Sequence, residues 1–184
     1  MPDVIVIGDG PGGLSAALFL AKNGKDVVVF GQDKTAMHWA MLNNYLGVAQ
    51  IHGSEFQKVA RQQVTDHGGK LELARVESVQ NDADGFEVVL EDGSLHRAPT
   101  LILSEGKSPR LAGQLGLEHD ADSGVPADRN GLTAVPGCYV VGRLARPGRS
   151  QAIISAGDGA AAAIDILSRA QGKNFADWDS PPES

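Results

Sequence analysis

Apolar positions recur along this chain with two periods, and the places where the period changes mark its elements. Val4-Ile5-Val6-Ile7 is an unbroken β-branched run. It predicts a strand over Asp3–Gly8 buried on both faces, as in the middle of a parallel sheet. A glycine-rich turn follows. Leu14, Ala17, Leu18 and Ala21 then share one face of a helix over Leu14–Lys22, stopped by Asn23-Gly24. Asp26–Phe30 reads as a second buried strand. Residues 31–52 lack a period and read as a long loop with a helical turn near Ala36–Met41. Ser54–His67 has helical spacing, with Phe56, Val59, Ala60 and Val64 as its apolar stripe, Ser54 as its cap and His67-Gly68-Gly69 as its end.

The second half switches to a shorter period. Lys70–Val79, Gly85–Leu90 and Ser94–Ala98 read as a three-stranded antiparallel meander, joined through Asn81-Asp82-Ala83-Asp84 and the Asp92-Gly93 turn. Thr100–Leu103 and Cys138–Val141 return as buried strands, with Ser108–Gly131 as loop between them. Ser155–Ala170 is the last helix, carrying the Ala160–Ala163 run, Ile164 and Leu167. Residues 1–172 therefore read as one α/β domain, and residues 173–184, polar and containing Ser180-Pro181-Pro182, as a mobile tail.

Composition narrows the function classes. A chain of 184 residues holds one domain with a real core and is too short for two full α/β domains. The net charge of −7 argues against a nucleic-acid partner, which requires a basic surface. No apolar run approaches the ~20 residues that span a bilayer, and no basic segment precedes the first strand. The expectation is a cytoplasmic protein that binds neither membrane nor nucleic acid. The one cysteine, Cys138, has no partner for an internal disulfide or dithiol and reads as a small buried thiol. The five histidines have no metal-ligand spacing.

The chemistry is concentrated in Gly8-Asp9-Gly10-Pro11-Gly12-Gly13, which matches G-x-G-x-x-G between a predicted strand and a predicted helix. Gly8 permits the tight turn, Gly10 lets the backbone approach a pyrophosphate, and Gly13 lets helix pack on strand. The helix start then offers free N–H groups and partial positive charge to the phosphates. A nicotinamide-binding domain would continue as β-α-β repeats. This chain turns instead to a meander and a small-residue helix.

That layout, with several motifs in order, resembles the thioredoxin reductases and related FAD-dependent pyridine nucleotide-disulfide oxidoreductases. Asp3–Ala17 is similar to their opening, with Gly10-Pro11 followed by Gly13-Leu14. Asn43-Asn44-Tyr45-Leu46-Gly47 resembles the Asn-aromatic-Pro-Gly segment whose asparagine lies against the flavin. Arg75-Val76 falls where the meander backbone meets the adenine. Gly137–Gly142 is similar to the late strand and its Gly-Asp motif, and Gln151–Gly159 to the C-terminal helix start that contacts the flavin ring. The resemblance implies a Rossmann-like FAD-binding domain: a parallel sheet, a three-stranded meander and flanking helices. It implies FAD as the cofactor, held by the glycine turn, by Phe30, Gly31, Gln32 and Asp33 after the second strand, and by Asn44, Arg75, Val76, Gly106, Gly142, Arg143, Gln151 and Ala152. His38, Trp39 and Tyr45 fit either a place near the flavin ring or core packing.

Departures from the family pattern are equally plain. Gly31 stands where an acid would hold the adenosine ribose, with Asp33 nearby as a substitute. Arg143 replaces the acid of the Gly-Asp motif, Ser104-Glu105-Gly106 replaces Ala-Thr-Gly, and Ser150 replaces an arginine before Gln151. About thirty residues separate Gly106 from Gly137, where the family inserts a nicotinamide domain carrying a second glycine motif and a C-x-x-C. Arg143, Arg146 and Arg149 read either as a solvated loop or as contacts for cofactor phosphates or an acidic partner. Two functions follow: an FAD oxidoreductase unable to reduce a disulfide alone, fed by NAD(P)H or a reductase, or a non-catalytic FAD or nucleotide-binding module acting through a partner. In either case a homodimer or another protein is expected to cover the flavin.

Overall fold

The computed structural model describes residues 1–181, so the last three positions of the expected mobile tail lie outside the described residues. Strand β1 (Val4–Ile7) leads into helix α1 (Pro11–Lys22) and strand β2 (Val27–Gly31). A hairpin of β3 (Met41–Leu42) and β4 (Ile51–His52) precedes α2 (Gly53–Asp66) and β5 (Lys70–Leu73). The meander is β6 (Val76–Asp82), β7 (Gly85–Leu90) and β8 (Leu95–Ala98). It is followed by β9 (Thr100–Leu103), a short α3 (Arg110–Gln114), β10 (Cys138–Val140) and α4 (Ala152–Gln171).

Five strands form one sheet in the order β10-β9-β1-β2-β5, every pair parallel. Val4 of β1 lies opposite Val27 of β2 on one side and Thr100 of β9 on the other. The chain thus leaves β1 toward β2 and returns later on its other side. In such sheets the strand ends at this reversal open a crevice that takes ligands.

Strand alternation sends side chains to two cores. Val4, Val6, Val27, Val29, Ile102 and Tyr139 face α1, α2 and α4. Ile5, Ile7, Val28, Phe30, Leu101 and Leu103 face the meander and α3. The domain is therefore helices, parallel sheet and meander, in that order. Gly159 sets the helix spacing: a Cβ there would lie 2.0 Å from the Gly12 carbonyl oxygen, so α4 meets α1 at backbone contact.

Several boundaries differ from the sequence reading. Lys70–Val79 is two strands, because the chain leaves one sheet for the other at Ala74-Arg75. Ala74 N–H still donates to the Gly31 carbonyl, whereas the Arg75 carbonyl accepts from Glu91 N–H in the meander. Residues 31–52 carry the end of β2 and the β3–β4 hairpin rather than loop alone. α2 is capped by His52, whose Nδ1 accepts from Ser54 N–H at 3.2 Å, and Ser54 lies inside the helix. Val59 is 53% exposed and the buried face holds Gln57 beside Val64, so the stripe is more polar than the spacing implied. The loop after residue 108 contains α3, and α4 begins at Ala152, a turn before Ser155. The tail starts by docking: Phe175 packs on the helical core, and Lys22 Nζ pairs with Asp177 at 2.8 Å and Asp179 at 2.5 Å.

Candidate cofactor site

The glycine turn is built under two different constraints. Gly8 has φ 102°, and a Cβ there would lie 2.2 Å from the Ser104 carbonyl oxygen. A Cβ on Gly13 would lie 2.0 Å from the Gly8 carbonyl oxygen. These two glycines are demanded by the fold. Gly10 differs, since a Cβ there would meet no protein atom within 4 Å. The space beside Gly10 is free for a ligand. α1 starts there without a side-chain cap and with no acid in its first turn; Pro11 has no N–H, and Leu14 N–H makes the first helical bond, to Gly10 O. The Gly12 and Gly13 N–H groups are left to bind an anion.

The start of α4, which adjoins that of α1, repeats this arrangement. Its N-cap Gln151 makes no side-chain cap, its first turn has no acid, and the first helical bond is Ser155 N–H to Gln151 O. Asn44 Nδ2 donates to Gln151 Oε1 at 3.1 Å, joining the Asn43–Gly47 segment to this helix start. Ala152 supplies the first free N–H. Gly142, at φ 65°, packs on Ser155, and Gly12 lies between Val141 and the Ser155 carbonyl. Arg146 Nε pairs with Asp158 at 3.0 Å. Arg143 makes no ion pair or side-chain hydrogen bond among the described residues. Burial pushes the Asp158 carboxyl up, opposed by Arg146 and the Gly142 N–H, and its Oδ2 is buried without a partner.

A third cluster underlies the glycine turn. The Asp9 side chain is buried; its Oδ2 takes the Arg61 guanidinium and the Asp33 N–H at 3.0 Å, and Gln57 Nε2 donates to the Asp9 carbonyl. Asp33 has left-handed φ, 51°, and its carboxylate and carbonyl meet His38 Nε2 at 3.0 and 2.8 Å. Phe30 of β2 lies in the core, Gly31 ends the strand and is buried, and Gln32 is exposed. Arg75 pairs with Glu91 at 2.5 Å, and Val76 is buried.

One departure now has a physical reason. Glu105 caps α3, its carboxylate accepting from Leu111 N–H at 2.9 Å and Ala112 N–H at 3.0 Å, while burial raises its pKa. Gly106 follows at φ 74°, a conformation that favours glycine. Cys138 is fully buried, and burial pushes its thiol up to about 12. A thiol so held is not a nucleophile near neutrality. Of the aromatic side chains considered, Tyr45 packs on Phe56 with ring centroids 5.2 Å apart, and Trp39 is 81% exposed.

The arrangement fits FAD. Two uncapped helix starts face one crevice, an open space stands over Gly10, and no acid lies in either first turn. Gly12 and Gly142 meet Ser155 in the first turn of α4, and Asn44 meets Gln151 at its N-cap. Gln57, Arg61 and Asp158 escaped the sequence reading. Their signal was polar residues on helix faces otherwise apolar or small: Gln57, Arg61 and Val64 follow at i, i+4 and i+7.

Fold and site together define a dinucleotide-binding Rossmann domain of the flavin type. The chain belongs to the pyridine nucleotide-disulphide oxidoreductase family, whose profile matches residues 45–160, and an FAD binding domain profile matches residues 3–72. It is 32% identical over 123 residues to a thioredoxin reductase of Helicobacter pylori, covering 63% of this chain and 39% of that protein. With a thioredoxin reductase of Aquifex aeolicus the identity is 30% over 127 residues, 67% of this chain and 39% of the relative. The chain thus spans about two fifths of these relatives' length. A thioredoxin reductase structure from Gloeobacter violaceus superposes with a TM-score of 0.87 at 18% identity, covering 97% of this chain and 99% of that one. The crystal structure of HlmI gives 0.85 at 19% identity, covering 93% of each. This is an FAD-binding oxidoreductase domain related to thioredoxin reductase, and FAD is its cofactor. Among the described residues no helix is long and apolar enough to cross a membrane.

Proposed function

We propose that the chain is an electron-transferring flavoprotein that receives electrons from NAD(P)H or a partner reductase and cannot reduce a disulfide by itself. Bound FAD supplies the redox chemistry, and the protein supplies binding, orientation and electrostatics. The glycine turn and the α1 start hold the pyrophosphate. The α4 start and Asn44 hold the flavin end, where the helix dipole favours negative charge on the ring during reduction. The observation that carries the restriction is the single cysteine, buried with its thiol pushed up to about 12: these residues hold no dithiol to pass electrons onward. The acceptor therefore comes from elsewhere.

The segment bearing Asn44 supports a covering partner or second copy. Trp39 is 81% exposed and Leu46 88%, with Met41 and Val48 also exposed. Exposed apolar side chains clustered on one segment mark interaction surfaces. A second reading, a non-catalytic FAD or nucleotide-binding module, draws on Arg143, which replaces the family acid and has no ion-pair partner among the described residues. Anaerobic mixing of the flavin-loaded protein with NADPH, then NADH, separates the two. Rapid bleaching of the oxidised flavin by one nucleotide supports the oxidoreductase and names its donor. An unbleached flavin that is also inert to added reductases supports the module.

A further inference from the structure

We propose that Asp9, within the glycine turn, is the acid that binds the adenosine ribose, replacing the side chain missing at the end of β2. The assignment rests on the FAD reading above. In dinucleotide folds an Asp or Glu about 20 residues beyond the glycine motif accepts a hydrogen bond from the ribose. Here that place is Gly31, the last residue of β2. Gly31 is not among the residues with positive φ, so backbone conformation does not demand glycine. Space does. A Cβ on Gly31 would lie 2.3 Å from Asp9 Cγ and 2.6 Å from Asp9 Oδ2. The Asp9 carboxylate thus fills the volume that a β2-terminal side chain would enter, and it arrives from the neighbouring strand's turn.

The two Asp9 oxygens are in different situations. Oδ2 is spent inside the protein on Arg61 and the Asp33 N–H. Oδ1 takes no partner among the described residues, yet it is not one of the buried atoms left without a hydrogen bond, so it keeps contact with the outside. It is a fixed acceptor beside the phosphate turn. Arg61 and Gln57 are positioning residues: Arg61 holds the carboxylate, and Gln57 holds the Asp9 carbonyl. Asp33 is the competing candidate; its Oδ1 is engaged by His38 Nε2 at 3.0 Å, and Asp33→Asn is expected to leave the preference for ADP measured below unchanged. The ligand chemistry is a ribose hydroxyl donating to Asp9 Oδ1.

The test exploits the mutual fit of positions 9 and 31. The full chain is compared as wild type, Asp9→Gly, Gly31→Glu and the double variant, by FAD titration and thermal unfolding of each apoprotein. Glycine is used at position 9 because the Asp9 Cβ lies only 2.6 Å from a Cβ at 31. Loss of one charge-assisted hydrogen bond is expected to weaken FAD roughly ten- to a hundredfold in Asp9→Gly. Gly31→Glu alone is expected to lose FAD and stability together. The double variant, with the acid moved to β2, is expected to recover most of the affinity. A second readout covers the case in which these variants fold poorly. Competition against FAD by ADP and by 2′,3′-dideoxy-ADP is measured on the wild type and on the isosteric Asp9→Asn. The wild type is expected to prefer ADP roughly tenfold, and the preference shrinks in Asp9→Asn. A folded Asp9→Gly that binds FAD as the wild type does, or a wild type indifferent to the ribose hydroxyls, overturns the assignment alone. A wild type that binds no FAD overturns both this assignment and the reading beneath it.

Discussion

The two regions proposed to hold FAD, the glycine turn and the α4 start, are built by opposite means. At the glycine turn the protein is packed to backbone contact: Cβ atoms on Gly8, Gly13 and Gly159 would each lie 2.0–2.2 Å from a carbonyl oxygen. At the α4 end, Asn44 and Gln151 are exposed, and so are the apolar residues Trp39, Met41, Leu46 and Val48 on the same stretch of chain. The first is fixed by folding alone. The second is an exposed surface. Substitutions at the tightly packed glycines of the first should therefore register in stability, and substitutions at the second in binding.

Gly13→Ala should break that contrast at its strongest point. Its Cβ would be forced against the Gly8 carbonyl, and overpacking of this kind costs about 3 kcal/mol or more, although alanine is ordinarily the better helix former. Chemical denaturation of the apoprotein measures it, and a variant as stable as the wild type would refute the packing account. Arg61→Met comes next. It strands a buried carboxylate on Asp9 and is expected to cost about 2–3 kcal/mol by the same measurement.

Asn44→Ala probes the other end. It removes the bond to Gln151 at an exposed site, so stability should change by less than about 0.5 kcal/mol. FAD affinity should fall by roughly three- to tenfold. If instead stability falls and affinity holds, the two ends have been misassigned. The smallest effect lies in pH dependence. Burial holds the Glu105 carboxyl above its ordinary 4.5, against its two backbone N–H partners and Arg110. The folded state therefore binds that proton more tightly than the unfolded chain. Its contribution is complete below the ordinary value and is lost as pH rises through the raised folded value. Glu105→Gln should flatten this part of the stability–pH curve from about 4.5 upward, as urea titrations at successive pH values would show.

The same contrast explains what could be read from the sequence. β1, β2, β9 and β10 were legible because strands buried on both faces must be continuous apolar runs. The glycine turn was legible because each glycine answers a backbone constraint that leaves a fixed spacing. The break at Ala74-Arg75 was not, since a chain changing sheets keeps the strand period and alters only its hydrogen-bond partner. His52 as a helix cap was missed because imidazole is not a favoured capping group, although here its ring nitrogen accepts from Ser54. Asp9 was read as part of the cofactor-binding glycine turn, but its contacts with Gly31, Gln57 and Arg61 were not, because those residues are remote in sequence and converge only in three dimensions. Asn44 and Gln151 lie 107 residues apart, and each was placed at the flavin only through family resemblance; the 3.1 Å bond between their side chains could not be read from the sequence.

Gly10→Ala separates ligand from fold at one atom. Its Cβ would touch nothing in the protein within 4 Å, yet it would stand in the space assigned to the pyrophosphate. Equilibrium FAD titration is run beside thermal unfolding of the two apoproteins. The unfolding midpoints are expected to agree closely and FAD affinity to fall roughly a hundredfold or more, from steric exclusion of a close-approaching phosphate. An Ala variant that binds FAD as tightly as the wild type would contradict this, and would place the cofactor somewhere other than the glycine turn.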